Sequence, residues 1–209
     1  MSNIFAVNIS SLNDRDCRRM YDLLDRVRQR RADRYLRRED RMRCVVAGAL
    51  LRFVAIQTLG MGEFGLEYSP LGKPMLNNHP DFHFNLSHSG QWVVIAYDSH
   101  PVGIDVEQML WDSGKENIVR KFFTPDEQAY VFDELWPGRA ERFYEIWTAK
   151  EGYLKYLGVG LQKRLDSFSV LRIHTPERYY LQLDGGYAMT LWAESKEHTL
   201  EELTIDRLL

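Results

Sequence analysis

The run Val102-Gly103-Ile104-Asp105-Val106-Glu107 alternates apolar residues with small or acidic ones. In a strand successive side chains point to opposite faces, so Val102, Ile104 and Val106 share one face while Gly103, Asp105 and Glu107 share the other. Carboxylates two residues apart on one face stand roughly 6 to 7 Å apart, close enough to converge on one hard cation. The glycine leaves room beside them. A solvated acidic face on an edge strand meets the same spacing. A second segment bears on the choice. On a helix from Ala140 to Leu157, Phe143, Trp147 and Leu154 fall within about 40° of one another, and Glu151 lands about 40° from Trp147 in that apolar stripe. An ionised carboxylate on a buried face needs a cation, and a metal or a lysine can serve. Lys155 sits four residues on, in the favoured orientation for a helical ion pair. Lys150 also borders the stripe, and two lysines beside one carboxylate fit an anionic ligand.

Other segments offer donors. Asn85-Leu86-Ser87-His88-Ser89-Gly90 reads as a turn between two strands, rich in hydroxyls and amides able to bind a phosphate. It does not read as a Ser-His nucleophile, because adjacency does not put a serine hydroxyl on the imidazole and no Gly-x-Ser-x-Gly elbow surrounds it. Gly72-Lys73-Pro74 reads as a turn with a lysine. Arg26 to Arg43 holds nine arginines against Asp33, Glu39 and Asp40 in a chain of formal net charge −3, so positive charge is concentrated there. Such a field attracts an anion locally, as a solvated helix face would also carry it.

These residues must be positioned by elements. Strands are expected at Ile4 to Ile9, Phe82 to Leu86, Trp92 to Tyr97, Val102 to Glu107, Phe168 to Ile173, Tyr179 to Leu183 and Met189 to Glu194, with Asp184-Gly185-Gly186 turning between the last two. Long helices are expected from about Leu36 to Leu59, stopping at Gly60, and from about Ala140 to Leu157. Thr124-Pro125-Asp126-Glu127 marks a further helix start: a capping threonine, proline at the first helical position and glutamate three residues after the cap. The elements make an α+β protein of two similarly sized halves, 1–101 and 102–209, each with a long helix and several strands, linked near Asp98 to Pro101.

The bulk properties narrow the classes. A chain of 209 residues, 44% hydrophobic and 12% aromatic, can bury one large core or two small ones. The first residues do not read as a signal peptide, and the longest apolar run, Cys44 to Leu51, is shorter than the roughly 20 residues of a membrane span. Cys17 and Cys44 make neither a zinc spacing nor a disulfide framework. The expectation is a cytoplasmic protein that engages no membrane.

Taken in order, Gly72-Lys73-Pro74, Asn85 to Ser89, Gly103 to Glu107 and Trp147-Thr148-Ala149-Lys150-Glu151-Gly152-Tyr153-Leu154-Lys155 resemble the 4′-phosphopantetheinyl transferases of the surfactin-synthetase-activating type. The resemblance covers nearly the whole chain, including Arg38-Glu39-Asp40, and implies an α+β pseudo-dimer of two similar halves, each with a long helix packed on a small antiparallel sheet, with the active site between them. It departs at Gly152, where the family has Ala or Ser, and glycine costs roughly 1 kcal/mol in a helix interior. It implies a holo-[acyl-carrier-protein] synthase activity: coenzyme A as donor, a serine of an acyl, peptidyl or aryl carrier protein as acceptor, and adenosine 3′,5′-bisphosphate as leaving product, in nonribosomal peptide or polyketide biosynthesis. It implies Mg²⁺, with Mn²⁺ as a substitute, on Asp105, Glu107 and Glu151. Lys150 and Lys155 would contact phosphates, and His88 would hold the 3′-phosphate. Ser87, Lys73 and Pro74 would line the nucleotide pocket. Arg28 and Arg31 lie where family members carry basic residues for the 3′-phosphate. Glu151 or a metal-bound water would deprotonate the serine, with Lys155 as the second catalytic group. No nucleic-acid partner is implied, and a monomer is expected because both halves lie in one chain. A metal-dependent nuclease or a noncatalytic binding module would use similar residue types.

Overall fold

The computed structural model describes residues 1–133 and 138–209, apart from the side chain of Leu161. The first half opens with strand β1 (Ser2–Asn8), two short helices α1 (Asp14–Asp22) and α2 (Arg26–Asp33), and the long helix α3 (Arg38–Leu59). Helix α3 ends where Gly60 takes a left-handed φ of 66°, a conformation open to glycine at no steric cost. A short hairpin of β2 (Leu66–Tyr68) and β3 (Pro74–Leu76) follows, then β4 (His83–Ser89) and β5 (Trp92–Asp98). The second half holds β6 (Val102–Gln108), α4 (Ser113–Phe122), α5 (Pro125–Phe132), the long helix α6 (Arg139–Leu157), β7 (Glu177–Leu183), β8 (Tyr187–Ala193) and β9 (His198–Leu203).

Two sheets carry the site, in strand orders β4-β5-β1-β9 and β6-β8-β7. All their pairings are antiparallel except β1 with β9, which is parallel. The layers follow from alternation along the strands. Val93 and Ile95 of β5 face α3, while Trp92, Val94 and Ala96 face the second sheet. Val102, Ile104 and Val106 of β6 meet that face, with Met189 and Leu191 of β8 beside them. Ala188 and Trp192 of β8 pack on α6 with Phe143, Ile146 and Ala149. Each half is thus a long helix on a small sheet, and the sheets meet face to face. Helix α3 is long and apolar enough to cross a membrane by length and composition, contrary to the reading of its apolar run. Its apolar residues are buried under α1, α2 and the first sheet, and a helix covered on several sides is apolar around most of its girth.

Three expectations are corrected. Ser87, His88 and Ser89 belong to strand β4, whose ladder runs to Ser89 opposite Trp92; the turn is Gly90 and Gln91. The stretch expected as a strand at Phe168 to Ile173 instead contains a 3₁₀ turn, Val170–Arg172, and follows another, Leu165–Ser167. Its backbone finds side-chain partners in place of a neighbouring strand: the carbonyls of Leu165 and Phe168 accept from Lys150 at 2.7 and 2.6 Å, and the Val170 amide donates to Glu127 at 2.8 Å. The segment expected to form the second half, 102–209, gives its last strand, β9, to the first half's sheet.

Candidate active site

The site forms where the edge strands β4 and β6 lie side by side under α6. Their backbones are not paired with each other; side chains of β4 bridge them. Asn85 Oδ1 accepts from the Ile104 amide at 2.9 Å, Ser87 Oγ from Val106 at 3.3 Å, and Ser89 Oγ from Gln108 at 3.2 Å. Every second residue of β4 thereby satisfies an edge amide of β6. The same hydroxyls orient the acids: Ser87 donates to Asp105 Oδ1 at 2.9 Å and Ser89 to Glu107 Oε2 at 2.8 Å.

Helix α6 crosses the acidic face of β6, the one Gly103 shares with Asp105 and Glu107, at very short range. A side chain at Gly103 would collide with the Gly152 carbonyl and the Tyr156 backbone. The room expected beside the carboxylates is therefore occupied by the helix. Gly152 lies on the same contact, where an added Cβ would stand 3.2 Å from Trp192 and 3.3 Å from the Thr190 carbonyl. Close approach thus accounts for glycine in the helix interior. It also carries Glu151 and Lys155 to the acidic face of β6.

There the sequence-derived residues meet. Asp105 is 4% exposed. Its Oδ1 accepts from Lys155 Nζ at 2.7 Å, while Oδ2 is buried and has no hydrogen-bond partner. Lys155 also donates to Ser87 Oγ at 2.9 Å and to the Ile104 carbonyl at 3.2 Å. Its ion pair is with Asp105 across the site, not with Glu151 one turn away. Burial, and then the negative charge of Asp105, raise the carboxyl groups of Glu107 and Glu151 above their ordinary range. The three acids therefore feel one another. Among the described residues, no three acidic, histidine or cysteine groups are drawn together tightly enough to hold a metal as they stand.

Beside the carboxylates lies a cavity of about 280 Å³ lined by Lys73, Pro74, Asn85, Glu151 and Lys155. Lys73 reaches across it to the end of α6, donating to the carbonyls of Lys155 at 2.7 Å and of Tyr156 and Val102 at 3.2 Å. A cation there complements the negative end of the helix, and burial lowers its amine to about 8. His88 points from β4 to the opposite side, toward α3. Desolvation, followed by the charge of Arg43, lowers its imidazole. Arg43 itself donates to the Gly90 carbonyl at 2.7 Å.

Lys150 does not reach the site. Its ammonium pairs with Glu127 at 2.7 Å, and both side chains are fully buried. The helix turn of about 100° between neighbours sends Lys150 and Glu151 to different faces, so the phosphate contact expected of Lys150 does not hold in this structure. Glu127 fills the capping position expected of it, accepting from the Thr124 amide at 2.8 Å. Arg28 and Arg31 also stand apart from the cavity of Lys73 and Glu151. Arg28 lines a separate cavity of about 620 Å³ between α2, α3 and the 62–65 loop, and Arg31 a recess of about 430 Å³ with Arg34 and Tyr68. Ser89, Arg43 and Glu127 were not among the sequence-derived site residues. Ser89 shares the alternation of Ser87, Arg43 was one of many arginines, and Glu127 was visible only as a helix cap.

Residues 101–206 match the model of the 4′-phosphopantetheinyl transferase superfamily, and residues 13–100 match that of the 4′-phosphopantetheinyl transferase N-terminal region. A 4′-phosphopantetheinyl transferase of Bacillus subtilis is 34% identical over 171 residues, covering 81% of this chain and 75% of the relative. The chain belongs to the 4′-phosphopantetheinyl transferase superfamily. The transferase Sfp of Bacillus subtilis strain 168 is 31% identical over 179 residues, 85% of this chain and 79% of its own. The transferase gsp of Aneurinibacillus migulanus is 33% identical over 151 residues, 71% and 62% respectively. This phosphopantetheinyl transferase thus carries its acids on β6 and α6, and the hydroxyls that orient two of them on β4.

Proposed function

We propose that this enzyme transfers 4′-phosphopantetheine from coenzyme A to a serine of an apo acyl, peptidyl or aryl carrier protein, releasing adenosine 3′,5′-bisphosphate, in a Mg²⁺-dependent reaction. The observation that carries the reading is that Asp105, Glu107 and Glu151, brought from two elements, lie near enough to feel one another's charge, with Lys155 on Asp105, beside a cavity that Lys73 and Pro74 line. The donor set fits a hard divalent cation, being all oxygen; Mg²⁺ or Mn²⁺ suits it and zinc suits it less. The bare Asp105 Oδ2 is an oxygen that a cation would satisfy, and positive charge would offset the burial and the repulsion by Asp105 that raise Glu107 and Glu151. Asp105, Glu107 and Glu151 would hold the metal, which supplies charge neutralisation on the pyrophosphate of coenzyme A.

In this reading the protein mainly positions and neutralises. Lys155 meets the pyrophosphate oxygens, and Lys73 and Pro74 line the nucleotide. His88 and Arg43 hold the 3′-phosphate, with Arg28 and Arg31 of α2 adding to the positive field around α3. The serine oxygen attacks the β-phosphorus as the bond to the bridging oxygen breaks. Its proton passes to Glu151, the carboxylate that lines the cavity. Asp105→Ala and Glu151→Ala should each lower Mg²⁺-dependent labelling of an apo-carrier at least ~100-fold while the far-ultraviolet circular dichroism is retained. Near-normal turnover in both variants would remove the metal assignment.

A further inference from the structure

We infer that Lys155 is the resident counter-cation of the carboxylate site and that a divalent metal binds by displacing it, so that metal entry and release of the lysine toward an incoming phosphate are one event. The inference rests on the metal reading above and adds to it a competition within the protein. An ammonium group has three donors, and those of Lys155 go to Asp105 Oδ1, Ser87 Oγ and the Ile104 carbonyl. It neutralises one of three acids that otherwise repel each other. A metal shared by Asp105, Glu107 and Glu151 would set a doubly positive ion close to that ammonium, and like charges a few ångströms apart in a partly buried site repel strongly.

The lysine is the group free to leave. Its side chain is 29% exposed, against 6% for Asp105. With Asp105 taken by a metal, only two neutral acceptors remain to hold it, Ser87 Oγ and the Ile104 carbonyl. The cavity it already lines with Glu151 and Lys73 gives its flexible stem another destination. Metal affinity is therefore weak in the free protein and rises with any ligand whose phosphate accepts the displaced ammonium, and by reciprocity the metal tightens that ligand.

Mn²⁺ titration of the full chain, followed by electron paramagnetic resonance without coenzyme A, tests this. Because ligand charge sets divalent affinity, Lys155→Met and Lys155→Gln should bind Mn²⁺ roughly tenfold more tightly than the parent, and Lys155→Arg within about twofold of it. Added coenzyme A should tighten Mn²⁺ binding in the parent much more than in Lys155→Met. Two neutral substitutions guard against one failing to fold. Equal or weaker Mn²⁺ binding by folded Lys155→Met and Lys155→Gln overturns the displacement while leaving the metal site standing. Absence of Mn²⁺ binding in every protein, with coenzyme A present, overturns the metal reading itself and the displacement with it.

Discussion

Asp105 is held by a hydroxyl from one half and an ammonium from the other, and its second oxygen is left bare. His88 lies on the other side of β4 from that constellation, so its loss should be felt by one phosphate only. His88→Ala removes a donor from the α3 side of β4, away from Asp105. It should weaken coenzyme A binding by about 10- to 100-fold, the worth of a hydrogen bond to a charged group, and dephospho-coenzyme A binding far less. Parallel calorimetric titrations check this, and equal losses for the two donors would remove the 3′-phosphate role. At this scale the sequence was informative where periodicity applies. Strand alternation separates Asp105 and Glu107 from Val102, Ile104 and Val106, and the structure keeps that division. Lys150 was misjudged because a position on a helical wheel gives a direction but not the neighbour waiting there. Here the neighbour is a capping glutamate from another helix.

Elements set the site through two contacts, the Gly103–Gly152 crossing and the Lys150–Glu127 pair. Gly103→Ala drives a methyl group into the backbone of α6. It should destabilise the fold by about 2 to 4 kcal/mol, read as a lowered denaturant midpoint, and depress transfer as Glu151 and Lys155 shift. Lys150→Met leaves Glu127 buried without its cation and should cost about 3 to 5 kcal/mol. The double variant Lys150→Met/Glu127→Gln removes the unpaired charge while keeping an amide oxygen for the Thr124 or Val170 amide, and should recover part of that loss in the same unfolding experiment. A double variant no more stable than the single one would show that the loss does not come from the buried charge. Element existence was legible for both long helices and for the strands with apolar alternation. The 168–173 stretch was not, because its apolar residues mimic a strand while its backbone is satisfied by side chains of α5 and α6. The short strands β2 and β3 and the polar β9 carry too little apolar pattern to announce themselves.

Across the whole molecule the halves are joined by more than their apolar interface. Strand β9 returns to the first sheet, and Asp98 at the link accepts from Ser2 of the first half and Ser195 of the second, each at 2.6 Å. Burial alone would raise the Asp98 carboxyl, yet these hydroxyls and the nearby N-terminal ammonium hold it well below its ordinary value. A carboxyl depressed in the folded state contributes stability that is present above its unfolded value near 4 and is lost as pH falls through the folded one. Unfolding free energy should therefore fall as pH drops below about 4, and Asp98→Asn should flatten that acid limb while lowering stability at neutral pH. An unchanged slope in the variant would place the acid sensitivity elsewhere. The two-half plan was legible from repeated helix-and-strand content, but the return of β9 was not, since a parallel pairing between distant ends of the chain leaves no local signal. Transfer of phosphopantetheine is read by intact-mass spectrometry of a panel of apo-carrier proteins incubated with this protein, coenzyme A and Mg²⁺. At least one carrier should gain one phosphopantetheinyl group, and a chelator or Asp105→Ala should abolish the gain; an unchanged mass on every carrier, with folded protein that binds coenzyme A, would exclude the transfer.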